Sequence, residues 1–238
     1  MEEIRMTHDD EQLRIKEWLT EYDMVQLFHE TTFAQMSLRQ LQPGHLLVEN
    51  GDQMEHLYIQ VEGKLKISTA LPNGRTLLLR FCQPISLIGD MELVNGEQAK
   101  VFVEAINTST VIAIPYRALQ EYELKHAQFL RYLLDHVSHK LNSISLSASV
   151  NVLTSVENRF ASYLISIAQN TEHLKFKRGE LETTKLTEIA ELLGTSYRHL
   201  NRVIKKFVDQ KLIQKNYNGI VIIDMEGLQK LSNGSLYQ

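Results

Sequence analysis

Apolar positions along the chain keep a helical period, switch to a strand period, and then return to the first. From about Asp9 to Phe28 the residues Leu13, Trp18, Leu19, Val25, Leu27 and Phe28 recur at helical spacing, which predicts a helix with no evident task beyond packing. From Leu38 to Pro115 the pattern shortens to β-rich runs: HLLVE, HLYIQVEG, KLKISTA, TLLLRF, VFVEAI and TVIAIP. Turn signals separate them at Pro43-Gly44, Asn50-Gly51, Glu62-Gly63, Pro72-Asn73-Gly74 and Asn95-Gly96. About 75 residues of this kind can close a small antiparallel β-roll with a core of its own.

Helical spacing resumes after Pro115. Leu130, Leu134, Val137, Leu141 and Ile144 are separated by four, three, four and three residues, a seam with a period near 3.5. Such a seam suits either the face of the β-roll or a second copy of the chain, and pairing is the preferred reading. Ser143, Ser145, Ser147 and Ser149 then read as a hinge, and Ser155 to Gln169 as a further helix.

The most informative stretch is Thr184 to Phe207, TKLTEIAELLGTSYRHLNRVIKKF. Leu186, Ile189, Ala190 and Leu193 form one apolar stripe, Gly194 stops that helix, and Ser196 can cap the next. Leu200, Val203, Ile204 and Phe207 repeat the stripe in the second helix. Roughly opposite, Tyr197, Arg198, Asn201, Arg202 and Lys205 fill an arc of about 140° that contains no acid. Leu212-Ile213 and Ile220 to Ile223 flank Lys215-Asn216-Tyr217-Asn218-Gly219, where the Asn-Gly signals a hairpin. Two helices, a glycine turn and a hairpin make a winged helix-turn-helix, a unit that can lay its second helix in a DNA major groove. Lys215 falls where a wing meets phosphate.

The net charge of −4 opposes DNA binding until it is divided. From Val152 onward there are 12 Lys+Arg against 9 Asp+Glu, and the remainder has 13 against 20. Between Ser196 and Lys215 six basic residues face one acid, Asp209, so the positive charge is local. An apolar content of 43% and a charged content of 23% fit a globular chain. No apolar run is long enough to cross a bilayer, the acidic N-terminus has no secretory pattern, and Cys82 is the single cysteine. A cytoplasmic location is expected. No phosphate-binding glycine loop, nucleophile elbow or HExxH motif is present, so an enzyme is not expected. Asp90 and Glu92, two acids in a loop-like segment, add nothing catalytic.

Three stretches, EHLYIQVEGKLKIST with PNGRTLLLRF, SLIGDMELV, and LTEIAELLGTSYRHLNRVIKKFVDQKLI, resemble the CRP/FNR family of bacterial transcription regulators over nearly the whole chain. IGDMEL and GTSYRHL have counterparts in its YeiL-like branch. The resemblance implies an α+β chain in three parts. Residues 1–115 would hold the first helix and a β-roll like a cyclic-nucleotide-binding jelly roll. Residues 116–151 would form a long dimerisation helix and hinge, and 152–238 the winged helix-turn-helix. It also implies a homodimer on a pseudo-palindromic double-stranded operator, contact with RNA polymerase, an effector of unknown identity, no membrane and no required cofactor.

The ligand pattern departs from that of cyclic-AMP-binding members. Their ribose-holding Gly-Glu corresponds to Gly89-Asp90, and their phosphate-holding Arg-Ser falls near Ala99-Lys100, where the arginine is missing. Lys100 either meets an anion or, the preferred reading, is simply exposed, and tight cyclic AMP binding is not expected. One cysteine cannot hold an iron–sulfur cluster, and His136 and His139 read as surface or seam residues rather than haem ligands. In the recognition helix Arg202 keeps the family's arginine, while Arg198 replaces a glutamate. That exchanges a cytosine-directed acceptor for a guanine-directed donor, so the operator should differ from a TGTGA half-site. Arg198 or Arg202 is expected on guanine and Asn201 on adenine, Ser196 and Lys205 on phosphate, with Tyr197, Lys215 and Thr184 completing the contact set. The rival reading is a ligand-sensing β-roll whose C-terminal domain serves protein interaction.

Overall fold

The computed structural model describes residues 7–70, 76–82, 84–169, 186–216 and 219–232. The chain divides into two compact units, Met1–Lys140 and Leu141–Gln238.

Unit 1 opens with α1 (His8–Glu21), whose first turn is closed by a capping box. The Thr7 hydroxyl accepts from the Asp10 amide at 3.2 Å, and the Thr7 amide donates to the Asp10 carboxylate at 3.3 Å. The helix ends well before Phe28. Asp23 takes a left-handed φ of 55°, which a short polar side chain tolerates, and the Met24 amide returns to the Leu19 carbonyl. Ile15, Trp18 and Leu19 are buried, whereas Leu13 lies exposed on the outer face.

After α2 (Glu30–Phe33) come β1 (Ser37–Leu41), β2 (Leu46–Val48), β3 (His56–Glu62), β4 (Leu65–Ala70), β5 (Thr76–Cys82) and β6 (Leu87–Ile88). Helix α3 (Asp90–Asn95), β7 (Phe102–Ala105) and β8 (Ser109–Pro115) complete the roll. The strands pair antiparallel in two four-stranded sheets, ordered β1-β8-β3-β6 and β2-β7-β4-β5. Every run of alternating or apolar β-formers found in the sequence is a strand. The mostly polar β1 and the two-residue β6 carry too little pattern to be seen. β3 and β8 read as nearly unbroken apolar runs because both faces are covered. Tyr58, Val111 and Ala113 point between the sheets with Leu65, Ile67 and Val103. Leu57, Ile59, Ile112 and Ile114 point outward to a second core shared with Trp18, Phe129 and Leu133. The turn at Gly63 needs glycine twice over: φ is +80°, and an added Cβ would lie 2.3 Å from the Ser109 hydroxyl oxygen. The turn signal at Asn95-Gly96 is the end of α3, where Gly96 takes a left-handed φ of 68°, and the segment read as a loop around Asp90 and Glu92 is that short helix.

Helix α4 (Tyr116–Glu121) leads to α5 (Ala127–Leu153). The buried Glu123 between them accepts from the His29 amide at 2.8 Å and the Thr32 hydroxyl at 2.9 Å, tying α2 to this corner. The serine-rich stretch read as a hinge holds no break in the helix: α5 is continuous through Ser143–Ser149. Serine costs only a few tenths of a kcal/mol in a helix interior, less than an opened backbone ladder would. The break comes at Thr154-Ser155, where the Ser155 hydroxyl accepts from the Asn158 amide at 3.2 Å and starts the next helix.

Unit 2 comprises α6 (Val156–Gln169), α7 (Leu186–Leu192), α8 (Tyr197–Asp209), β9 (Ile213–Asn216), β10 (Gly219–Ile222) and α9 (Met225–Ser232). Phe160 and Phe207, with ring centroids 5.6 Å apart, centre a core closed by Leu164, Leu193, Leu200 and Leu228. In the hairpin Asn216 pairs with Gly219, so Gly219 is the first residue of β10 and not part of the connection. Among the described residues no helix is long and apolar enough to cross a membrane.

Candidate nucleic-acid interface

The α7–α8 corner follows from three residues, Gly194, Thr195 and Ser196. The Gly194 amide bonds to the Glu191 carbonyl at 3.0 Å with φ of 58°, and the Thr195 amide to the Ala190 carbonyl at 2.9 Å. Ser196 is extended, and its hydroxyl accepts from the His199 amide at 3.2 Å. Its oxygen is thus engaged as a cap, the role its position suggested, and only its O–H remains for a phosphate.

Helix α8 buries Leu200, Val203, Ile204 and Phe207 and leaves the opposite face outside. Arg198, Arg202 and Lys205 are exposed, Tyr197 is about half exposed and Asn201 half-buried. None of the three cations forms an ion pair with another described residue. Lys206, by contrast, turns aside and bonds both carboxylate oxygens of Glu157 on α6 at 2.8 and 2.7 Å. No local pattern marks that pair, which joins residues 49 positions apart. Lys215 is exposed on β9. Thr184 lies outside the described residues.

Residues 158–231 match the Crp-like helix-turn-helix domain, and residues 38–126 the cyclic nucleotide-binding domain. Regulatory protein YeiL of Escherichia coli O157:H7 is 30% identical over 186 residues, covering 78% of this chain and 81% of that protein. The chain belongs to the CRP/FNR family. As a member it is a transcription regulator with a helix-turn-helix DNA-binding domain. The probable transcriptional regulator flp of Lacticaseibacillus casei is 26% identical over 194 residues, covering 80% of this chain and 85% of its own. The crystal structure of a putative transcriptional regulator of the crp/fnr family from Eubacterium rectale superposes with a TM-score of 0.72 at 16% identity, covering 90% of this chain and 97% of that one.

In this CRP/FNR regulator the ligand-type residues do not converge. Gly89 has φ of +88°, and an added Cβ would sit 2.7 Å from the Tyr116 hydroxyl and 2.8 Å from the His56 carbonyl, so only glycine fits. It delivers Asp90, 2% exposed, into unit 1. Both Asp90 oxygens accept from the Lys140 ammonium, at 2.5 and 2.6 Å, and the same nitrogen donates to the Leu87 carbonyl at 2.9 Å. No local pattern marks Lys140 as the partner of Asp90, because it sits on a helix 50 residues away. Burial pulls its pKa down against the opposing pull of Asp90. Lys100 is exposed and pairs with Glu97 on its own segment. Asp90 and Lys100 therefore answer to different partners.

His136 lies on the roll-facing side of α5 rather than on the outer seam. Its ring nitrogen is 2.9 Å from the Tyr132 hydroxyl, whose pKa burial pushes up to about 12. Burial, reinforced by the nearby Lys140, holds the His136 pKa below its ordinary value. His139 is exposed. Burial also pushes the Cys82 thiol up, away from reactivity. Among the described residues no group of three or more His, Cys, Asp or Glu could hold a metal ion.

Proposed function

We propose that this regulator binds a pseudo-palindromic DNA operator as a homodimer, each α8 entering a major groove about 34 Å from its partner. The observation that carries this is the α8 outer face, where Arg198, Arg202 and Lys205 stand exposed with no described counter-charge. A cationic arc that no described acid neutralises is suited to phosphates and guanine edges. Arg198, Arg202 and Asn201 read bases. Lys205, Lys215 and the Ser196 hydroxyl hold phosphate, with Tyr197 and Thr184 at the margins.

Dimer formation is supported by α5, on which Leu130, Leu134, Leu141 and Ile144 are 43%, 64%, 65% and 54% exposed along one stripe. That much apolar surface on a single face calls for a partner. Cyclic AMP is not a tight effector, because Asp90 is already paired and Lys100 is turned to Glu97. The protein works in the cytoplasm and meets RNA polymerase there. Selection from random duplex DNA, followed by gel shifts, tests the reading. It is expected to yield a two-fold symmetric site whose binding is lost in Arg198→Ala/Arg202→Ala, and failure to enrich any duplex would refute it. Calorimetry with cyclic AMP checks the effector statement, where sub-micromolar binding is the contrary result.

A further inference from the structure

The roll-facing side of α5 changes character along its length. Phe129, Leu133, His136 and Lys140 lie within an arc of about 60°. Phe129 and Leu133 are packed into the core beside β3 and β8. Past Leu133 that apolar anchorage stops, and among the described residues His136 bonds along its own helix, to Tyr132. About 10 Å further on, Lys140 reaches back into the roll. All three of its N–H donors are matched, by the two oxygens of Asp90 and the carbonyl of Leu87. The compact unit ends at this residue, while the helix runs on to Leu153.

Apolar contacts tolerate small slides, but this one does not. A shift of one residue turns the helix about 100° and carries the ammonium away from a carboxylate that is 2% exposed. The Asp90 carboxylate would then be buried without its partner, which is strongly disfavoured. Gly89 fixes the other half, since its backbone could not accept a side chain and holds Asp90 at the first position of α3.

We propose that Asp90 and Lys140 form a built-in clamp that sets the rotation and axial position of the long helix where it leaves unit 1, and so pre-sets the operator-binding form without a bound effector. This rests on the DNA-binding reading above. Asp90 and Lys140 are positioning residues in it and touch no DNA. A small ligand seeking Asp90 would have to displace an ammonium already held by three acceptors.

The test uses the full chain with the pair replaced by apolar side chains, Asp90→Leu/Lys140→Met. Replacing a buried ion pair as a unit commonly preserves the fold, and the thermal midpoint checks that it does. Operator affinity and hydrogen exchange of the α5 amides beyond Val137 are then measured. The clamp predicts a wild-type midpoint, affinity lower by about tenfold or more, faster exchange, and affinity largely kept in Lys140→Arg. It also predicts that excess cyclic AMP leaves wild-type affinity unchanged. Wild-type affinity and exchange in the double variant would overturn it, and so would stimulation by cyclic AMP. Should the double variant fail to fold, Lys140→Gln is judged by the same two outcomes. Should the wild-type chain bind no DNA, the operator reading fails by itself. The clamp is then decided by exchange: faster in the variant supports it, unchanged overturns it.

Discussion

On α8 the exposed side chains and the buried ones call for different tests. Arg202 is exposed on the outer face of α8, so its removal leaves no buried partner behind. Arg202→Ala should therefore weaken operator binding by about 1–3 kcal/mol with an unchanged melting temperature, measured by gel shift and thermal unfolding. Phe207 on the inner face is fully buried against Phe160. Phe207→Ala should destabilise unit 2 by about 3–5 kcal/mol, a large share of what a domain of this size possesses, as read from denaturant unfolding. His136 supplies a pH signature. Its folded pKa lies below the ordinary 6.5, first through burial and then through Lys140, with Asp90 opposing and His139 and Arg80 adding smaller pushes downward. The unfolded chain thus takes up the proton first. Its contribution is complete above about 6.5 and is lost as pH falls below that value. Melting temperature against pH in that window should flatten in His136→Gln.

At the level of elements, α5 is asked to satisfy two surfaces. One side meets the roll through Phe129, Leu133 and Lys140, and the other presents Leu134 and Leu141 to solvent. Leu134→Glu/Leu141→Glu places charge on the outer stripe without touching the first side. The expected result in analytical ultracentrifugation is a folded monomer with much weaker operator affinity, since half-sites read singly lose their linkage. An unchanged dimer would place the interface elsewhere. The sheets show the same double use, with β3 and β8 covered on both faces while β1, at the edge, stays largely polar.

For the molecule as a whole, charge is partitioned rather than balanced. The chain carries a net −4, yet the winged-helix segment is locally basic. Binding should therefore be strongly salt-dependent, with log affinity falling linearly in log salt at about 0.9 per phosphate neutralised. Lys205→Ala should lower that slope by about one and weaken all sequences alike, whereas Arg202→Ala should change sequence preference. Affinity that ignores salt would contradict a phosphate-based interface.

The amino-acid sequence by itself determined whatever depends on neighbours within a few turns. The six strong β-runs, the stripes of α7 and α8, the Gly194 stop, the Ser196 cap and the outward basic arc all follow from periods of 2 and 3.6, which adjacent residues express directly. Only the tertiary structure decided matters between distant residues. It joined Asp90 to Lys140 across 50 positions and Lys206 to Glu157 across 49, kept the serine-rich part of α5 helical, and ended α1 at Glu21. A charged residue shows the same polarity in sequence whether it faces water or a buried partner. Which of the two it meets is set by packing between elements, and no local period records that.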